Sequence, residues 1–398
     1  MTKIILKKNE ERRIKQGHLW VFSNEIKSVE CRAESEECRV MNGELVEVYD
    51  FKNNFIGCGF YNANSLIAVR LISIEKEIDI KSLFEKRILA AFEFRKTIYP
   101  KRDSFRLVFS ESDFMPGLII DKYNNTFVLQ IYSAGMERNI ETIVSILKRK
   151  FNAENIFTKN ESYFRKLEGL PEEDKIYVGE MPEEVISDGF VKYKIDFANS
   201  HKTGFYFDQC DNREFVGKFS GGKSVLDCFC NSGGFGLHAA KNGAQSVTFV
   251  DSSNHEIENA KSNFQLNNFT NEAEFVVEDV FDFLEKCRNE NRKFDIVNID
   301  PPAFAKNKKS LPQAIKGYEK LNRLAMEIVN DGGLVFTSSC SHHLKEDAFL
   351  EITRSAAIKA GKKIQLFHFN NASMDHPYLP AMEETVYLKF AALKVTCI

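Results

Sequence analysis

The sequence predicts an α/β protein in which a doubly wound, mainly parallel sheet follows a small all-β unit and a small α+β unit. The chain has 398 residues, which is longer than one ordinary domain. Hydrophobic residues make up 43% and charged residues 28%, as in a folded globular chain. Strand and helix patterns alternate regularly from about residue 190 onward. We therefore predict domains at residues 1–74, 75–189 and 190–398.

The first region contains short strand-like runs separated by turn residues. The runs are 44–49, 55–61 and 66–72, and Asn42-Gly43 and Asn53-Asn54 lie where tight turns belong. This pattern predicts a small all-β unit of the kind that usually serves as a binding module.

The second region opens with a helical pattern and continues with strands. One helix is indicated by Leu83, Ile88, Leu89 and Phe92, and a second by apolar residues from 140 to 147; strands are predicted at 105–110, 118–121 and 126–132. Residues 81–106 hold eight Lys or Arg against three acidic residues, although the whole chain has a net charge of −3. This run predicts either a phosphate-facing surface or a solvated helix face.

The third region repeats strand and helix. Strands are predicted at 224–229, 246–251, 274–279, 294–300 and 333–340, with a helix before Asp331-Gly332-Gly333. Such repeats predict a parallel sheet covered on both faces. Two final strands, 363–370 and 384–395, lack a convincing helix between them and predict a closing hairpin.

Ligands of such sheets bind beyond the carboxyl ends of the strands, so the residues at these ends are the candidates for a binding site. The first strand ends at Asp227 and leads into Asn231-Ser232-Gly233-Gly234, a loop that can approach a ligand and open a helix. Asp251, at the next strand end, suits ribose hydroxyls, and Asp279 suits either an adenine amino group or a helix N-cap. A nicotinamide cofactor and S-adenosylmethionine both fit this pattern.

The fourth and fifth strand ends carry the reactive groups. Asp300-Pro301-Pro302-Ala303-Phe304 fixes the backbone and holds a carboxylate and a ring at the pocket mouth. Cys340, among hydroxyl residues and followed by Ser341-His342, is placed as a nucleophile, with His342 lining the pocket. Without a C-x-x-C pair or a third ligand beside the two histidines, no metal site is expected.

These groups together fit methylation of a pyrimidine at carbon 5. A Cys340 thiolate attacks carbon 6, Asp300 hydrogen-bonds the base edge and Phe304 stacks on or walls the base. The sequence indicates no residue that removes the proton from carbon 5. The alternatives are methylation of an exocyclic amino group at the Asp-Pro-Pro-x-Phe motif, an RNA-binding protein without catalysis, and a nicotinamide oxidoreductase.

With these motifs in order, the chain resembles the bacterial family of ribosomal large-subunit RNA cytosine-5 methyltransferases. The likeness covers nearly the whole chain. It rests on motifs at 17–23, 111–118 with Asp121, 200–209, the glycine loop, 300–302 and 339–341. The resemblance implies a PUA-like β-barrel, a central α+β domain and a Rossmann-like class I methyltransferase domain with a seven-stranded sheet.

The resemblance also implies functions for individual residues. S-adenosylmethionine would be the cofactor, with Asp251 at the ribose, Asp279 at the adenine, Cys340 as nucleophile, and five residues edging the pocket: Lys202, Thr203, Gly204, Asp208 and Gln209. The chain departs from the family in two ways: Cys210 replaces a common arginine, and the pair Asn231-Ser232 replaces an aromatic-threonine pair. Pro302 stands where other RNA cytosine-5 enzymes have a releasing cysteine.

The expected partner is large-subunit ribosomal RNA. No apolar run approaches the roughly 20 residues that a membrane span needs, and residues 1–11 are charged, so we expect a cytoplasmic protein without a membrane partner. The sequence does not determine whether the chain forms a homodimer.

Overall fold

A computed structural model describes residues 1–31, 40–200, 202–305 and 307–397. The chain forms two compact units, each built from separate segments. The first comprises Met1–Glu184, Ile195–Phe205 and Asp375–Thr385; the second comprises Val185–Lys194, Tyr206–Met374 and Val386–Ile398. The boundaries predicted after residues 74 and 189 stay a prediction.

The N-terminal part of the first unit is a six-stranded sheet with the order β2-β6-β5-β4-β1-β3. Its strands pair antiparallel except β1 with β4, and Ile4, Val46 and Val69 lie in its core. The three strands predicted here are present, at β4 to β6, whereas β1 to β3 were not predicted. The elements are β1 (Thr2–Leu6), α1 (Glu11–Lys15), β2 (Trp20–Phe22), β3 (Ile26–Glu30), β4 (Leu45–Tyr49), β5 (Phe55–Tyr61) and β6 (Ile67–Ser73).

A five-stranded sheet with the order β11-β10-β9-β8-β7 follows in the same unit. Ile88 of α2 and Ile143 and Leu147 of α4 are buried in one core with its strands, as the apolar spacing predicted. Phe84, which was not predicted, is buried in the same core, whereas the predicted Leu83 and Phe92 are partly buried against it. The elements are α2 (Ile80–Ile98), β7 (Phe105–Phe109), β8 (Leu118–Tyr123), β9 (Thr126–Ile131), α3 (Ala134–Arg138), α4 (Ile140–Phe151), β10 (Asn155–Thr158), α5 (Ser162–Glu168) and β11 (Ile176–Val178).

The basic run of residues 81–106 is divided between the interior and the surface. Arg95 is fully buried and donates to both carboxylate oxygens of Asp113, at 2.5 and 2.8 Å. Arg106 likewise forms a bidentate ion pair with Asp121, with hydrogen bonds of 2.7 and 2.8 Å. Neither alternative, a phosphate-facing surface or a solvated helix face, applies to Arg95 and Arg106, because these guanidinium groups are bound internally. Lys81, Lys86 and Lys101 are exposed.

The second unit contains a seven-stranded sheet with the order β16-β15-β14-β17-β18-β20-β19. Neighbouring strands from β16 to β18 are parallel, and β20 pairs antiparallel with β18 and β19. This arrangement confirms the predicted α/β class and the closing hairpin. The elements are α6 (Cys210–Gly217), β14 (Ser224–Cys228), α7 (Gly234–Lys241), β15 (Ser246–Asp251), α8 (Asn254–Leu266), β16 (Glu272–Val277), α9 (Val280–Asn289), β17 (Phe294–Ile299), α10 (Leu311–Ile328), β18 (Val329–Ser339), α11 (Glu346–Lys359), β19 (Lys362–Asn370) and β20 (Lys389–Cys397).

Two further details concern the remaining elements. Strands β12 (Glu183–Ser187) and β13 (Lys192–Asp196) form a separate two-stranded sheet. Helix α10 ends at Ile328 and β18 begins at once, so the predicted helix stop at Asp331-Gly332-Gly333 lies inside a strand instead. Within the described ranges, no helix is long and apolar enough to span a bilayer. A cytoplasmic location stays a prediction.

Candidate active site

The strand order changes direction between β14 and β17, which is where α/β sheets bind ligands. Asp227 of β14 is fully buried there. One of its oxygens accepts from the Gly236 amide at 2.8 Å and the other from Asn298 Nδ2 at 2.9 Å. Burial raises the pKa of Asp227 to about 6. Asp227 thus joins the first turn of α7 to β17.

The loop after β14 has an unusual backbone, with three residues in the left-handed region. Phe229, Asn231 and Gly233 have φ angles of +57°, +49° and +89°. A Cβ on Gly234 would lie 2.4 Å from Arg213 Nε, so the protein's own packing requires glycine here. Ser232 is held through its carbonyl, which accepts from Asn263 Nδ2 at 3.1 Å.

Asp251 ends β15 and Asp279 follows β16, and each orders nearby backbone. Asp251 accepts from the amides of Asn231 and Ser253, both at 3.0 Å, and is partly exposed. Asp279 is exposed and caps α9 by accepting from the Phe281 amide at 2.8 Å. The helix-cap alternative for Asp279 is therefore present, and an adenine contact by its second oxygen stays a prediction.

Gln209 is hydrogen-bonded to Asp300, and its chain neighbour Asp208 is hydrogen-bonded to Tyr387. Gln209 is buried and its Nε2 donates to Asp300 Oδ1 at 2.9 Å. The Tyr387 hydroxyl donates to Asp208 Oδ2 at 2.6 Å, and Asp208 Oδ1 is buried without a hydrogen-bond partner in the described part of the chain. Desolvation, and then the charge of Asp208, raise the pKa of Asp300 to about 7.

Cys340 follows β18 directly and lies beside the Asp300-Pro301-Pro302 turn. Its Sγ is 3.9 Å from the Pro301 carbonyl oxygen, and the residue is partly exposed. Ser341, which comes next, is buried; its Oγ accepts from the Ala305 amide at 3.1 Å and lies 2.9 Å from the Tyr318 hydroxyl. The structure thus brings together the two residues predicted to be catalytic.

The other predicted substrate residues surround this turn. Pro301 is buried and Pro302 is exposed. The Phe304 ring packs 4.6 Å from the Tyr318 ring, between centroids, and is partly exposed. His342 is exposed, with its ring 6.4 Å from that of Tyr387. Contact of these residues with a base stays a prediction.

Lys202, Thr203 and Gly204 belong to the first unit. Lys202 is exposed, whereas Thr203 is buried. Gly204 has a φ of +122°, and a Cβ there would lie 3.1 Å from the Phe197 ring. These features explain the local backbone, and a part in the cofactor pocket stays a prediction for all three residues.

Two residues near the site were not predicted from the sequence: Lys389 of β20, and Tyr387, which lies just before that strand. Tyr387 binds Asp208, and Lys389 is buried with its Nζ 2.7 Å from the Ser341 carbonyl oxygen. A lysine that begins an apolar run, Lys389-Phe390-Ala391-Ala392-Leu393, was the available signal. This signal could be interpreted only from the antiparallel pairing of β18 and β20, which places Lys389 opposite Ser339.

Comparison with known proteins agrees with this fold. Residues 4–74 match the family described as a PUA-like domain, and residues 205–368 match one described as conserved hypothetical protein 95. A solved chain complexed with SAH aligns with a TM-score of 0.84 at 22% identity, covering 99% of this chain and all of that one. A structure from Streptococcus mutans assigned to the SAM-dependent methyltransferases gives 0.82 at 22% identity, with the same coverage. The protein therefore has the class I methyltransferase fold after a PUA-like domain.

Curated relatives define the family. The ribosomal RNA large subunit methyltransferase I of Photobacterium profundum is 38% identical over 98% of both chains. That of Vibrio campbellii is 39% identical over 98% of this chain and 99% of its own. The chain belongs to this methyltransferase family, and its cofactor is S-adenosylmethionine, as the sequence predicted.

Proposed function

We propose that this protein transfers a methyl group from S-adenosylmethionine to carbon 5 of a cytosine in large-subunit ribosomal RNA, through a covalent bond to Cys340. One observation supports this above all: the sulfur of a partly exposed cysteine, Cys340, lies 3.9 Å from the carbonyl oxygen of Pro301, the residue that follows Asp300. Methylation of an amino group requires no thiol at this place. The names of the curated relatives support the choice of ribosomal RNA.

Two carboxylates, those of Asp208 and Asp251, fit the cofactor. Asp208 Oδ1 is a buried oxygen without a partner among the described residues, and such an oxygen is costly unless a ligand supplies a donor. Asp251 is partly exposed at the end of β15, and its carboxylate is held by the amides of Asn231 and Ser253. When bound, S-adenosylmethionine supplies an electrophilic methyl group on a sulfonium. We infer that Asp208 binds its amino group and Asp251 its ribose.

Cys340 supplies the nucleophile. Its thiolate sulfur forms a bond to carbon 6 of cytosine, and the electron pair of the 5,6 double bond moves toward carbon 5 and the ring nitrogen 3. Carbon 5 can then accept a methyl group. Loss of the carbon 5 proton to a base re-forms the double bond and breaks the bond to sulfur, which returns the thiolate.

Asp300 stabilises the base during these steps. Because its pKa is raised to about 7, a substantial fraction of Asp300 carries a proton at neutral pH. A protonated carboxyl can donate to nitrogen 3, where negative charge develops during attack by the thiolate. Gln209 fixes the orientation of this carboxyl through its 2.9 Å hydrogen bond.

Transfer of tritium from labelled S-adenosylmethionine to ribosomal RNA lacking the modification tests the proposal. Wild type, Cys340→Ala and Cys397→Ala are compared, and the labelled nucleoside is identified. Cys397 is the control because it is an exposed cysteine at the end of β20. We expect label in 5-methylcytidine with the wild type and Cys397→Ala, and none with Cys340→Ala.

A second assay traps the intermediate. RNA containing 5-fluorocytidine has no proton to lose at carbon 5, so the bond to Cys340 should persist through denaturing electrophoresis. Label in an amino-methylated base that survives Cys340→Ala would overturn the proposal. So would label in 5-methylcytidine from Cys340→Ala.

A further inference from the structure

Lys389 is buried directly behind the Cys340 turn. It is the first residue of β20 and pairs with Ser339, the residue before Cys340. Only 3% of Lys389 is exposed. Its Nζ donates to the carbonyl oxygens of Ser341 and Tyr387, both at 2.7 Å. One hydrogen bond of the ammonium therefore holds the residue that follows Cys340.

The burial of this ammonium group is not explained by an ion pair. No carboxylate oxygen of the described residues lies within 4 Å of Nζ, and Glu346 acts on Lys389 only through its more distant charge. Two neutral carbonyls compensate a buried ammonium incompletely. Burial lowers the pKa of Lys389 to about 8, so the group is mostly charged at neutral pH.

Titratable groups from several elements surround Cys340. Tyr206 and Tyr318 interact with Cys340 and remain neutral because burial raises the pKa of each phenol. The charges of Asp208 and Asp300 also raise the pKa of Tyr206. The exposed His342 follows two residues later, and Glu346 begins α11. Lys389 is the cation that interacts with Cys340 from β20.

We propose that Lys389 is a positioning residue that orients the Cys340 turn through the Ser341 carbonyl and stabilises the Cys340 thiolate with its positive charge. The inference rests on the proposed function, because a thiolate is needed only if Cys340 is a nucleophile. The sulfur forms no bond with Lys389, and no proton transfer between them is required.

The test measures how readily Cys340 is alkylated by iodoacetamide between pH 5.5 and 10, with peptide mass spectrometry to separate it from the other cysteines. Lys389→Gln keeps a donor for the Ser341 carbonyl but removes the charge. Lys389→Met removes both, and Lys389→Arg keeps the charge. Lys394→Met is the matched control, because Lys394 is exposed on the same strand.

We expect the midpoint pH for Cys340 alkylation to rise by about one unit in Lys389→Gln and Lys389→Met, as for loss of a nearby opposite charge. Lys389→Arg should restore most of the wild-type midpoint, and Lys394→Met should leave it unchanged. Methyl transfer at pH 7 should fall about tenfold in Lys389→Gln, because a one-unit rise leaves about one tenth of the thiolate.

An unchanged midpoint in a folded Lys389→Gln protein would overturn the inference, even if activity fell. If Lys389→Met fails to fold, Lys389→Gln and Lys389→Arg still decide the result. The alkylation assay contains no RNA. A midpoint shift together with methylation by Cys340→Ala would therefore overturn the proposed catalytic mechanism while leaving the charge effect intact.

Discussion

The polar core of the first unit and the strand ends of the second unit both contain buried charges, but their hydrogen bonding differs. In the first unit the buried guanidinium groups of Arg95 and Arg165 pair with carboxylates, Arg95 with Asp113 at 2.5 Å and Arg165 with Glu137 at 2.7 Å. In the second unit, Asp208 leaves one oxygen unbonded, and Lys389 has only carbonyl partners. Charges satisfied internally stabilise the fold, whereas incompletely satisfied charges are available to a ligand.

The largest effect should come from breaking a pair of the first unit. Arg95→Met leaves the Asp113 carboxylate without its guanidinium partner, which should cost about 3–5 kcal/mol in the free energy of unfolding. Urea unfolding followed by fluorescence of Trp20, the only tryptophan, reports on this unit. Lys101→Met, at an exposed position, should change it by less than about 0.5 kcal/mol. Equal effects of the two substitutions would contradict the comparison.

Replacing a carboxyl group of the site should instead reduce activity and leave the fold intact. Asp300→Asn keeps the size of the side chain but removes the acid that we assign to the base. Methyl transfer should fall about 100-fold, the usual effect of losing one group that stabilises a developing charge. Initial rates with saturating RNA measure this, and thermal unfolding should show that the fold is retained. A variant with full activity would remove Asp300 from the mechanism.

The raised pKa of Asp300 also predicts how stability depends on pH. An ordinary aspartate has a pKa of 3.8, so the folded state binds more protons than the unfolded state between about pH 4 and 7. Stability should therefore fall as pH rises through this window, by at most about 1.4 kcal/mol per pH unit for this group. Asp227, with a pKa of about 6, acts in the same direction at lower pH.

Asp300→Asn should flatten the dependence between about pH 4 and 7, most visibly between pH 6 and 7, because Asp227 no longer adds to the slope above about pH 6. Calorimetric unfolding at pH 5, 6, 7 and 8 measures it. An identical slope in the variant and the wild type would show that Asp300 has an ordinary pKa.

The smallest effect concerns the exposed lysines of the basic run. If Lys81, Lys86 and Lys101 contact phosphates of RNA, each change to alanine should reduce the slope of log affinity against log salt by about 1. Filter binding at several salt concentrations measures the slope, with Lys394→Ala as the control on the second unit. An unchanged slope in all three variants would place the RNA elsewhere.

The sequence predicted those features that depend on local patterns. Alternation of apolar residues located β4 to β6 and the parallel strands to within a few residues, and the position after a strand located Asp300 and Cys340. It could not show which arginines of the basic run are internal, because the partners of Arg95 and Arg106 lie 18 and 15 residues further along the chain. Nor could it connect Lys389 with Ser341, 48 residues apart. Such pairings depend on strand order and register.

The segmented first unit has a consequence for synthesis on the ribosome. Arg95 Nη2 donates to the Asp375 carbonyl at 2.7 Å, and the Arg106 amide donates to the Asp375 carboxylate at 2.9 Å. The two residues of the first bond are 280 positions apart. At 5–20 residues per second, roughly 14–56 s separate their translation. The N-terminal unit must therefore persist in an incomplete form, exposed to chaperones and proteases, until nearly the whole chain has been made.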